Sequence, residues 1–462
     1  MLNTSSKDCD GAISLWTITF PKQIFESLEH YLFNDESTEN GCFLLAHHHK
    51  KSNANSVLLI REIINANSYS WKIKGSSSLE PTSAYINQCV IKADASESCL
   101  IFVHTHPLSS HPEVFSAIDN ETNTALFANL YEILPDRPIA SIVLSNHGLY
   151  GEVFYENKTQ RIMETLIVGK TIKHYNTIGG YSKDSRFNTQ FDRQLKAIGA
   201  EAQKVLQNLT ITIVGLGGVG SPVAVQLARM GVGRLRLIDS DVIDETNLPR
   251  VYGSVHRDVG KPKVTVLKNH LKTFSKAKIV SIAADITKKD IIADLADSDV
   301  IFGCTDNLAS RAVLNDVSVQ YYIPLIDSGC RILLMANSFE QAIGKVQVVT
   351  PGVACLWCSG ILNGNLILQE TLPLKERQKL AEEGYGQSVE KQPSIVSLTT
   401  LTASIAVNKL LSILGVFGEE FSTRTQIEII NEIMINDNPK IINNCVCQTR
   451  SGLGDKRKII SL

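Results

Sequence analysis

A glycine-rich loop is the first feature of this sequence whose residues could do chemistry. It follows the apolar run Ile211–Val214, precedes an apolar helical pattern from Ser221, and contains Gly215, Gly217, Gly218 and Gly220. Glycines let a backbone turn tightly against a phosphate, and a helix N-terminus adds N–H groups and the positive end of its dipole. Asp239 ends the next apolar run, at the usual spacing of a carboxylate that accepts from a ribose hydroxyl. The loop predicts a nucleotide site, and on its own it leaves a dehydrogenase and another nucleotide enzyme equally open.

The residues after Asp239 narrow this choice. In chain order they are Asp241, Asn247, Arg250, Lys263, Asp306 and Asn307. An adenylating enzyme must neutralise a triphosphate with Arg and Lys as pyrophosphate leaves and must hold Mg²⁺ with a carboxylate, whereas hydride transfer needs no such set. Their order and spacing resemble the adenylyltransferase domain of ubiquitin-activating enzymes and of the ThiF and MoeB proteins of thiamine and molybdopterin biosynthesis. The resemblance implies that all six line a site for ATP and Mg²⁺.

The same resemblance implies particular roles. Asp239 would hold the ribose, Arg250 and Lys263 the phosphates, and Asp306 the magnesium ion. Asn247 would orient the phosphate contacts.

Arg193 carries a prediction about assembly. The segment Phe191–Gln194 resembles an Arg–Gln motif of the family, whose arginine reaches the partner's ATP in homodimers. The resemblance therefore implies a homodimer with Arg193 in the catalytic set. Val251 departs from the family, which usually has Gln after the arginine that matches Arg250.

Two close cysteine pairs predict a metal site near the end of the same domain. They are Cys355, Cys358, Cys445 and Cys447. Four thiolates suffice for a closed, tetrahedral, structural zinc ion, and the family commonly has one there. The second pair has one spacer residue where relatives usually have two.

The sequence departs from the family mainly by lacking a cysteine where relatives often carry the thioester-forming one. Residues 359–444 contain no cysteine, and Cys304 and Cys330 are interpreted as packing residues at the ends of strands. The sequence therefore predicts that an adenylate passes directly to an external nucleophile or to a hydroxyl such as Ser388 or Ser394.

A second set of chemistry-bearing residues lies nearer the N-terminus. His104 and His106 follow an apolar run, so both point to one side of a strand end. Asp119, one turn into the next helix, could complete three ligands of a catalytic zinc ion and leave a fourth position for water. A nearby glutamate could act as general base on that water, and Ser116 could donate to the tetrahedral oxyanion.

This pattern resembles the JAMM (MPN) metalloproteases, which cleave after the C-terminal glycine of ubiquitin-like proteins. Glu39 matches the catalytic glutamate, which in the family precedes a glycine pair, although Cys42 replaces the second glycine. The loop between Pro107 and Ser116 is longer than is usual in the family. All ligand types are present, so the resemblance implies an active protease. The run His47–His49 is interpreted as a solvated turn.

The order of elements predicts an α/β protein of two domains. Residues 11–156 alternate strands with polar loops and are assigned to a mixed-sheet domain of the JAMM type. Residues 157–187 are interpreted as a connector. Residues 188–450 alternate strands with helices, which predicts a Rossmann-like parallel sheet for the adenylation site and the cysteine site.

Composition excludes several classes. The 462 residues are 44% hydrophobic and 20% charged, which excludes wholesale disorder and a collagen-like chain. A net charge of −2 gives no reason to expect a nucleic-acid partner. Glycines and Pro222 break the longest uncharged stretch, Val205–Ala228, so no membrane helix is expected there. With no secretory signal, the cytoplasm is the expected location.

Both halves indicate the tail of a ubiquitin-like protein as the substrate. The main hypothesis is a bifunctional enzyme that adenylates the C-terminal glycine of such a protein and also cleaves after it, as in bacterial ubiquitin-like conjugation, where a ubiquitin-conjugating-like protein is a further partner. One alternative is a sulfur-carrier adenylyltransferase in cofactor or metabolite synthesis. Another is a silent docking module for ubiquitin-like proteins. A nicotinamide-dependent oxidoreductase is a third, for which nothing identifies a catalytic acid.

Overall fold

The computed structural model describes residues 15–459 except 36, 107–113, 179–188, 289–290, 336–337, 371 and 384–391. Its contacts divide the chain into two compact units. One comprises Met1–Thr19, Leu28–Leu166 and Tyr175–Tyr181, and the other comprises Phe20–Ser27, Ile167–His174 and Ser182–Leu462. The predicted domain bounds stay a prediction. Pro107 and Ser388, both named in the sequence analysis, lie outside the described residues.

The first sheet is mixed and closes on itself. The strands of this part of the chain are β1 (Trp16–Pro21), β2 (Gly41–Lys50), β3 (Ser56–Asn65), β4 (Trp71–Lys74), β5 (Leu79–Pro81), β6 (Cys99–Thr105), β7 (Ile139–Ser145), β8 (Gly148–Tyr155), β9 (Lys158–Val168) and β10 (Ile172–Tyr175). The eight-stranded order is β1-β3-β2-β6-β7-β8-β9-β10, with a further pairing of β1 to β9, and β4 pairs with β5 alone. β6 is antiparallel to β2 and parallel to β7. The mixed character predicted from the sequence is therefore observed.

The helices of this part of the chain are α1 (Lys22–Leu32), α2 (Ser83–Ala95) and α3 (Ala117–Ile133). Of these, α2 and α3 pack against the centre of the sheet. Thr82 begins α2 by accepting from the N–H of Tyr85 at 3.3 Å, as a helix-capping threonine does. Phe43 and Phe102 from the sheet and Leu130 from α3 are buried in one apolar cluster. Burial of these side chains holds the end of β6 beside the start of α3.

The segment 157–187, interpreted as a connector, contains β9 and β10, which continue the first sheet, and its bounds as a connector stay a prediction. One expectation for this part of the chain is wrong. The run His47–His49, interpreted as a solvated turn, lies within β2, where His47 and His49 are buried. β2 pairs with β3 along this run, and His48 stacks on Trp16 with ring centroids 5.2 Å apart. Sheet pairing and ring packing together remove these polar side chains from water.

The second sheet has a parallel part and an antiparallel part. Its strands are β11 (Thr210–Val214), β12 (Arg234–Ile238), β13 (Lys278–Ile282), β14 (Val300–Gly303), β15 (Leu325–Met335), β16 (Ser338–Val349), β17 (Arg424–Glu428) and β18 (Ile433–Asp437). The order is β13-β12-β11-β14-β15-β16-β17-β18. Pairings from β13 to β15 are parallel and those from β15 to β18 are antiparallel. The predicted Rossmann-like parallel sheet is confirmed, and the apolar run Ile211–Val214 lies within its strand β11.

Ten helices accompany this sheet in the described part of the chain. They are α4 (Asp192–Ile198), α5 (Ala200–Asn208), α6 (Gly220–Arg229), α7 (Lys263–Lys272), α8 (Ile292–Ala296), α9 (Leu308–Tyr321), α10 (Gly364–Glu370), α11 (Leu374–Glu382), α12 (Val396–Ile413) and α13 (Val446–Thr449). Short 3₁₀ turns lie at Thr189–Phe191, Glu245–Asn247, His256–Asp258 and Gly454–Lys456. Strand and helix alternate from β11 to β15, so the carboxyl ends of the parallel strands form one edge.

Helix α12 is the most apolar helix of this unit. By length and composition it could cross a membrane, but 61% of this 18-residue helix is buried inside the protein. Ala403, Ala406 and Leu410 belong to the apolar cluster that also contains residues of β11, α6 and β16. α12 is therefore placed as a core helix against the sheet.

Candidate functional site

The glycine loop joins β11 to α6 at the carboxyl edge of the parallel strands. Gly215 has φ +84°, and a Cβ there would lie 2.5 Å from the carbonyl oxygen of Cys304. A Cβ on Gly220 would overlap the carbonyl oxygen of Gly215, whereas a Cβ on Gly217 would meet nothing within 4 Å. Gly218 lies against Thr399. Two of the four glycines are thus required by the turn itself, and the side of the loop at Gly217 is open to a ligand.

Gly220→Ala is expected to lower the free energy of unfolding by about 3 kcal/mol, because the new methyl group must displace backbone rather than a flexible side chain. Gly217→Ala is the matched control, since its Cβ enters open space, and it is expected to change stability by less than about 1 kcal/mol. Urea unfolding followed by circular dichroism measures both. Equal stabilities of the two variants would contradict the tight packing of Gly220.

Asp239 is fixed under the glycine loop by backbone donors. The N–H of Leu216 donates to its Oδ2 at 2.6 Å, and the N–H of Asp241 donates to its Oδ1 at 2.7 Å. Burial raises the pKa of Asp239, and nearby Lys263 opposes that shift. Each carboxylate oxygen keeps a second acceptor position. The arrangement suits the predicted contact with a ribose, which stays a prediction.

Lys263 lies beside the same loop. It begins α7, its Nζ donates to Asp241 Oδ2 at 2.8 Å, and its backbone N–H donates to Asp241 O at 3.0 Å. The Lys263 side chain is 10% exposed and that of Asp241 is 65% exposed. A lysine held this way presents a positive charge at the loop with little freedom to move away.

Asn247 and Arg250 share one turn. Asn247 is buried, and its carbonyl oxygen accepts from the N–H groups of Arg250 at 3.0 Å and Val251 at 2.9 Å. The Cδ of Arg250 would lie 3.3 Å from a Cβ on Gly218, so the arginine lies at the glycine loop, and its contact with phosphate stays a prediction. Val251, where the family usually has Gln, is buried beside Ile243. An apolar side chain therefore suits this position.

Asp306 and Asn307 follow β14 at the same edge of the sheet. Asp306 is exposed, and a carboxylate oxygen is the kind of ligand that Mg²⁺ takes. The side chain of Asn307 accepts from the N–H of Ser310 at 2.7 Å and so caps α9. Asn307 therefore shapes the loop, and a direct contact of its side chain with ATP stays a prediction.

Arg193 lies away from this loop within its own chain. It is exposed on α4, where the neighbouring Gln194 donates to the carbonyl oxygen of Met230 at 2.8 Å. Met230 ends α6, and Gly220 begins it. Ten helical residues span about 15 Å, so the structure does not bring Arg193 to its own glycine loop.

The four predicted cysteines meet in space. Sγ of Cys355 is 3.8 Å from that of Cys358 and 3.5 Å from that of Cys445, and Cys358 is 3.6 Å from Cys447. These spacings exceed a disulfide bond, about 2.05 Å, and match the roughly 3.8 Å between sulfurs on a tetrahedral zinc with bonds of about 2.3 Å. Hydrogen bonding from neighbouring thiols, Cys447 first, lowers the pKa of Cys355 to about 5. The cluster fits a structural zinc ion.

A second cluster forms at the end of β6. Nε2 of His104 is 3.2 Å from Asp119 Oδ1, and Nε2 of His106 is 3.3 Å from Asp119 Oδ2. Among the described residues, Nδ1 of buried His104 has no hydrogen-bond partner, so the nitrogen that faces Asp119 is Nε2. Burial alone would raise the pKa of Asp119, but contact with the imidazoles holds it well below its usual range. Ligand atoms on a tetrahedral zinc with bonds of about 2.0–2.1 Å lie roughly 3.3 Å apart, so this cluster also fits zinc.

Register places Glu39 at this cluster. β2 and β6 pair antiparallel with Gly41 opposite His104, which puts Glu39 opposite His106. Oε1 of the buried Glu39 is 3.8 Å from His106 Nε2. Ser116 caps α3, where its Oγ accepts from the N–H of Asp119 at 3.1 Å. Glu39 therefore lies where a general base could reach water bound at this cluster. Ser116 caps a helix, and its predicted hydrogen bond to an oxyanion stays a prediction.

Cys304 and Cys330, which lie outside the four-cysteine cluster, differ from a thioester nucleophile. Burial raises the pKa of Cys304 to about 12 and also raises that of Cys330. Both pack against the apolar cluster of the second sheet. Cys330 lies within β15 and not at a strand end as expected. Ser394, the other suggested acceptor, is exposed just before α12.

Cys304 is expected to resist iodoacetamide at pH 8.5. Its raised pKa keeps the group as a thiol below about pH 12, and the thiolate is the reactive form. Peptide mass spectrometry after labelling of native protein measures this, with protein unfolded in guanidinium as the positive control. Fast labelling of native protein at Cys304 would show an accessible thiolate and reopen the thioester route.

Sequence reasoning missed two residues at the carboxyl edge. Asp327 is buried in β15, with Arg311 Nε 3.5 Å from its Oδ1. Glu370 accepts from the first N–H groups of α9. The apolar run before Asp327 was a usable signal, because Asp327 lies where the parallel pairing of β15 with β14 ends. Glu370 lies in a helix far along the chain and carried no such signal.

A parallel sheet with a glycine loop after one strand and a carboxylate after the next defines a Rossmann-like nucleotide-binding protein. A model of the ThiF family matches residues 191–448. The match covers more than half of the chain, which therefore belongs to the ThiF family.

Individual relatives resemble part of the chain. It is 36% identical over 140 residues to adenylyltransferase and sulfurtransferase MOCS3 of Anopheles gambiae, covering 30% of this chain and 32% of that protein. It is 30% identical over 176 residues to the sulfur carrier protein ThiS adenylyltransferase of Escherichia coli, covering 36% and 66%. A crystal structure of E. coli MccB with MccA-N7isoASN aligns at 22% identity and TM-score 0.47, covering 57% and 75%. The chain thus spans about a third of the first relative.

Proposed function

We propose that this protein is an ATP-dependent adenylyltransferase that activates the C-terminal glycine of a sulfur-carrier or ubiquitin-like protein. The observation that carries the proposal is the joint placement of Asp239, Asp241 and Lys263 at an open glycine loop in a member of the ThiF family. The names of the relatives, an adenylyltransferase with sulfurtransferase and a ThiS adenylyltransferase, favour a sulfur carrier over a conjugated modifier.

The proposed reaction is an acyl-adenylation. A carboxylate oxygen of the terminal glycine attacks the α-phosphorus of ATP, the bond to the bridging oxygen breaks, and pyrophosphate leaves with the electron pair. Arg250 and Lys263 stabilise the charge that develops on the phosphates. Asp306 would hold Mg²⁺, which neutralises phosphate charge when bound. The product is a mixed anhydride with AMP, which an external sulfur or nitrogen nucleophile then attacks.

Direct transfer to an external nucleophile is supported by the cysteines. Residues 359–444 contain none, and burial disfavours the thiolates of Cys304 and Cys330. The proposal also includes a homodimer, because Arg193 lies at the far end of α6 from its own glycine loop. A ubiquitin-conjugating-like partner belongs to the conjugation hypothesis alone.

ATP–pyrophosphate exchange tests the proposal. Purified protein is incubated with ATP, Mg²⁺, labelled pyrophosphate and each of a panel of sulfur-carrier and ubiquitin-like proteins that end in glycine. Exchange is expected with at least one of them and not with the same protein lacking its terminal glycine. Absence of exchange across the panel would contradict adenylation. Thiocarboxylate formation with a sulfur donor, against isopeptide formation with lysine proteins, then distinguishes the two substrate classes.

A second activity is supported by the cluster at the end of β6. We propose a zinc peptidase that cleaves after the same tail, as in the JAMM class. The supporting observation is the convergence of His104 Nε2 and His106 Nε2 on the carboxylate of Asp119, with His104 buried. His104, His106 and Asp119 would bind zinc, and Glu39 would accept a proton from the attacking water.

Cleavage of a carrier fused to a C-terminal extension tests this activity. Wild-type protein is expected to release the extension after the terminal glycine. Glu39→Gln is the matched variant, because it removes the base and leaves the three ligands in place. It should retain zinc and lose cleavage. Equal cleavage by the variant would remove Glu39 from the mechanism, and no cleavage by wild type would leave the cluster as a metal site without this activity.

A further inference from the structure

Glu370 contacts the first backbone N–H groups of α9, and no sequence motif indicates this contact. It is the last residue of α10 and is half-buried. Its Oε1 accepts from the N–H of Leu308 at 3.1 Å, and its Oε2 accepts from the N–H of Ala309 at 2.9 Å. Both carboxylate oxygens are thus used on consecutive backbone groups at the start of α9. Such charge-assisted bonds are about twice as strong as neutral ones.

The start of α9 is the end of the loop that carries Asp306. The first N–H groups of a helix have no partner within the helix. Asn307 satisfies the N–H of Ser310, and Glu370 satisfies those of Leu308 and Ala309, so three consecutive donors are held by two side chains. A negative charge also suits the positive end of the helix dipole. The backbone just after Asp306, at the start of α9, is therefore held in place by a side chain from another helix, α10.

The other end of this connection is the cysteine cluster. α10 follows the Cys355–Cys358 knuckle along the chain. Leu356 and Leu362 after Cys355, and Ile367 of α10, are buried in one apolar cluster with residues of α9. The Cys355–Cys358 segment, α10 and α9 thus pack against one another. Glu370 lies at the end of this group of elements that faces the loop of Asp306.

We propose that Glu370 is a positioning residue that ties the cysteine knuckle to the loop of Asp306, so that magnesium-dependent binding of ATP depends on this carboxylate. The inference rests on the proposed function through the role given to Asp306. Loss of one acceptor and of the charge would free the start of α9 and let Asp306 move out of register with the phosphates. Glu370 would touch neither ATP nor the metal ion.

Calorimetric binding of a non-hydrolysable ATP analogue tests this inference. Affinity is measured with saturating Mg²⁺ and with EDTA, and half-saturation by Mg²⁺ is measured at fixed analogue. Glu370→Gln is expected to weaken binding about tenfold with Mg²⁺ and less than about twofold in EDTA. Glu382→Gln, an exposed acid on α11, is the matched control and should bind as wild type does. Zinc content should be unchanged in both variants.

The outcomes separate the inference from the proposed function. Equal weakening with and without Mg²⁺ would mean a general structural role and overturn the inference. Unchanged binding by Glu370→Gln, with Mg²⁺ dependence in wild type, would overturn it as well. Wild-type binding with no Mg²⁺ dependence would contradict the role of Asp306 and hence the proposed function. If Glu370→Gln does not fold, Glu370→Asp replaces it, with the same pattern expected at a smaller size.

Discussion

Lys263→Ala is expected to lower the rate of ATP–pyrophosphate exchange about 100-fold, the effect of removing one preorganised charge from a site of developing negative charge. The ammonium group is held 2.8 Å from Asp241 Oδ2 in a nearly buried position. It therefore needs little reorganisation when pyrophosphate charge develops. Because the contact strengthens as the reaction proceeds, kcat should fall more than KM for ATP rises.

Lys261→Ala is the matched control for this experiment. Lys261 is two residues away, about half exposed, and pairs with Asp258 at 2.9 Å, so its loss should leave exchange within about twofold of wild type. Thermal unfolding of both variants checks that the fold is kept. Equal exchange by Lys263→Ala and Lys261→Ala would remove Lys263 from the catalytic set and leave its bond to Asp241 as a structural contact.

The nucleotide loop was predictable because its signals are local. The apolar run before Gly215 specifies a buried parallel strand, and the glycines specify a turn that other residues cannot make. Asp239 follows from the length of one strand–helix–strand unit. Packing of α6 against the sheet then sets the loop, and no long-range information is needed.

The meeting of the residues in the two candidate metal clusters was predictable from ligand chemistry. Two histidines on a strand end with an aspartate in the following helix turn meet once β6 and α3 form. The two cysteine pairs are almost ninety residues apart, and a structural zinc site is an arrangement that accounts for four free thiols meeting in space. In both cases the side chains themselves carry the information.

The remaining contacts depend on pairings that the sequence does not display. The burial of His47 follows from its pairing with Leu59 of β3 and its contacts with Ser96 and Ser98, which a triplet of histidines does not indicate. β9 extends a sheet whose closure requires the pairing to β1. Glu370 reaches Leu308 across sixty-two positions. Each is set by register and helix packing between distant segments.

Wild-type protein purified without chelators is expected to carry about two zinc ions per chain, one in each cluster. The double variant His104→Ala/His106→Ala should carry about one, because two of three ligands of the open site are gone. It should unfold near the wild-type temperature. A catalytic site of three protein ligands at the end of a strand contributes little to a fold already held by a large apolar core.

Cys358→Ser should also lose one zinc ion, but with a different consequence. Cys358 bonds to the backbone N–H of Ile442 at 3.3 Å as well as lying 3.6 Å from Cys447. The closed site therefore joins segments almost ninety residues apart, and its binding free energy contributes to folding. We expect the unfolding temperature to fall by about 10 °C or more. Cys330→Ser, outside the cluster, is the control and should keep both ions.

Elemental mass spectrometry and scanning calorimetry on the same samples distinguish the two sites. Zinc loss with retained stability in the histidine variant, and zinc loss with lost stability in the cysteine variant, assigns an open site to one cluster and a closed site to the other. One zinc ion in both wild type and the histidine variant would leave the end of β6 without metal and remove the peptidase. Full zinc in Cys358→Ser would contradict four-thiolate binding, because three thiolates leave an open position that a structural site does not have.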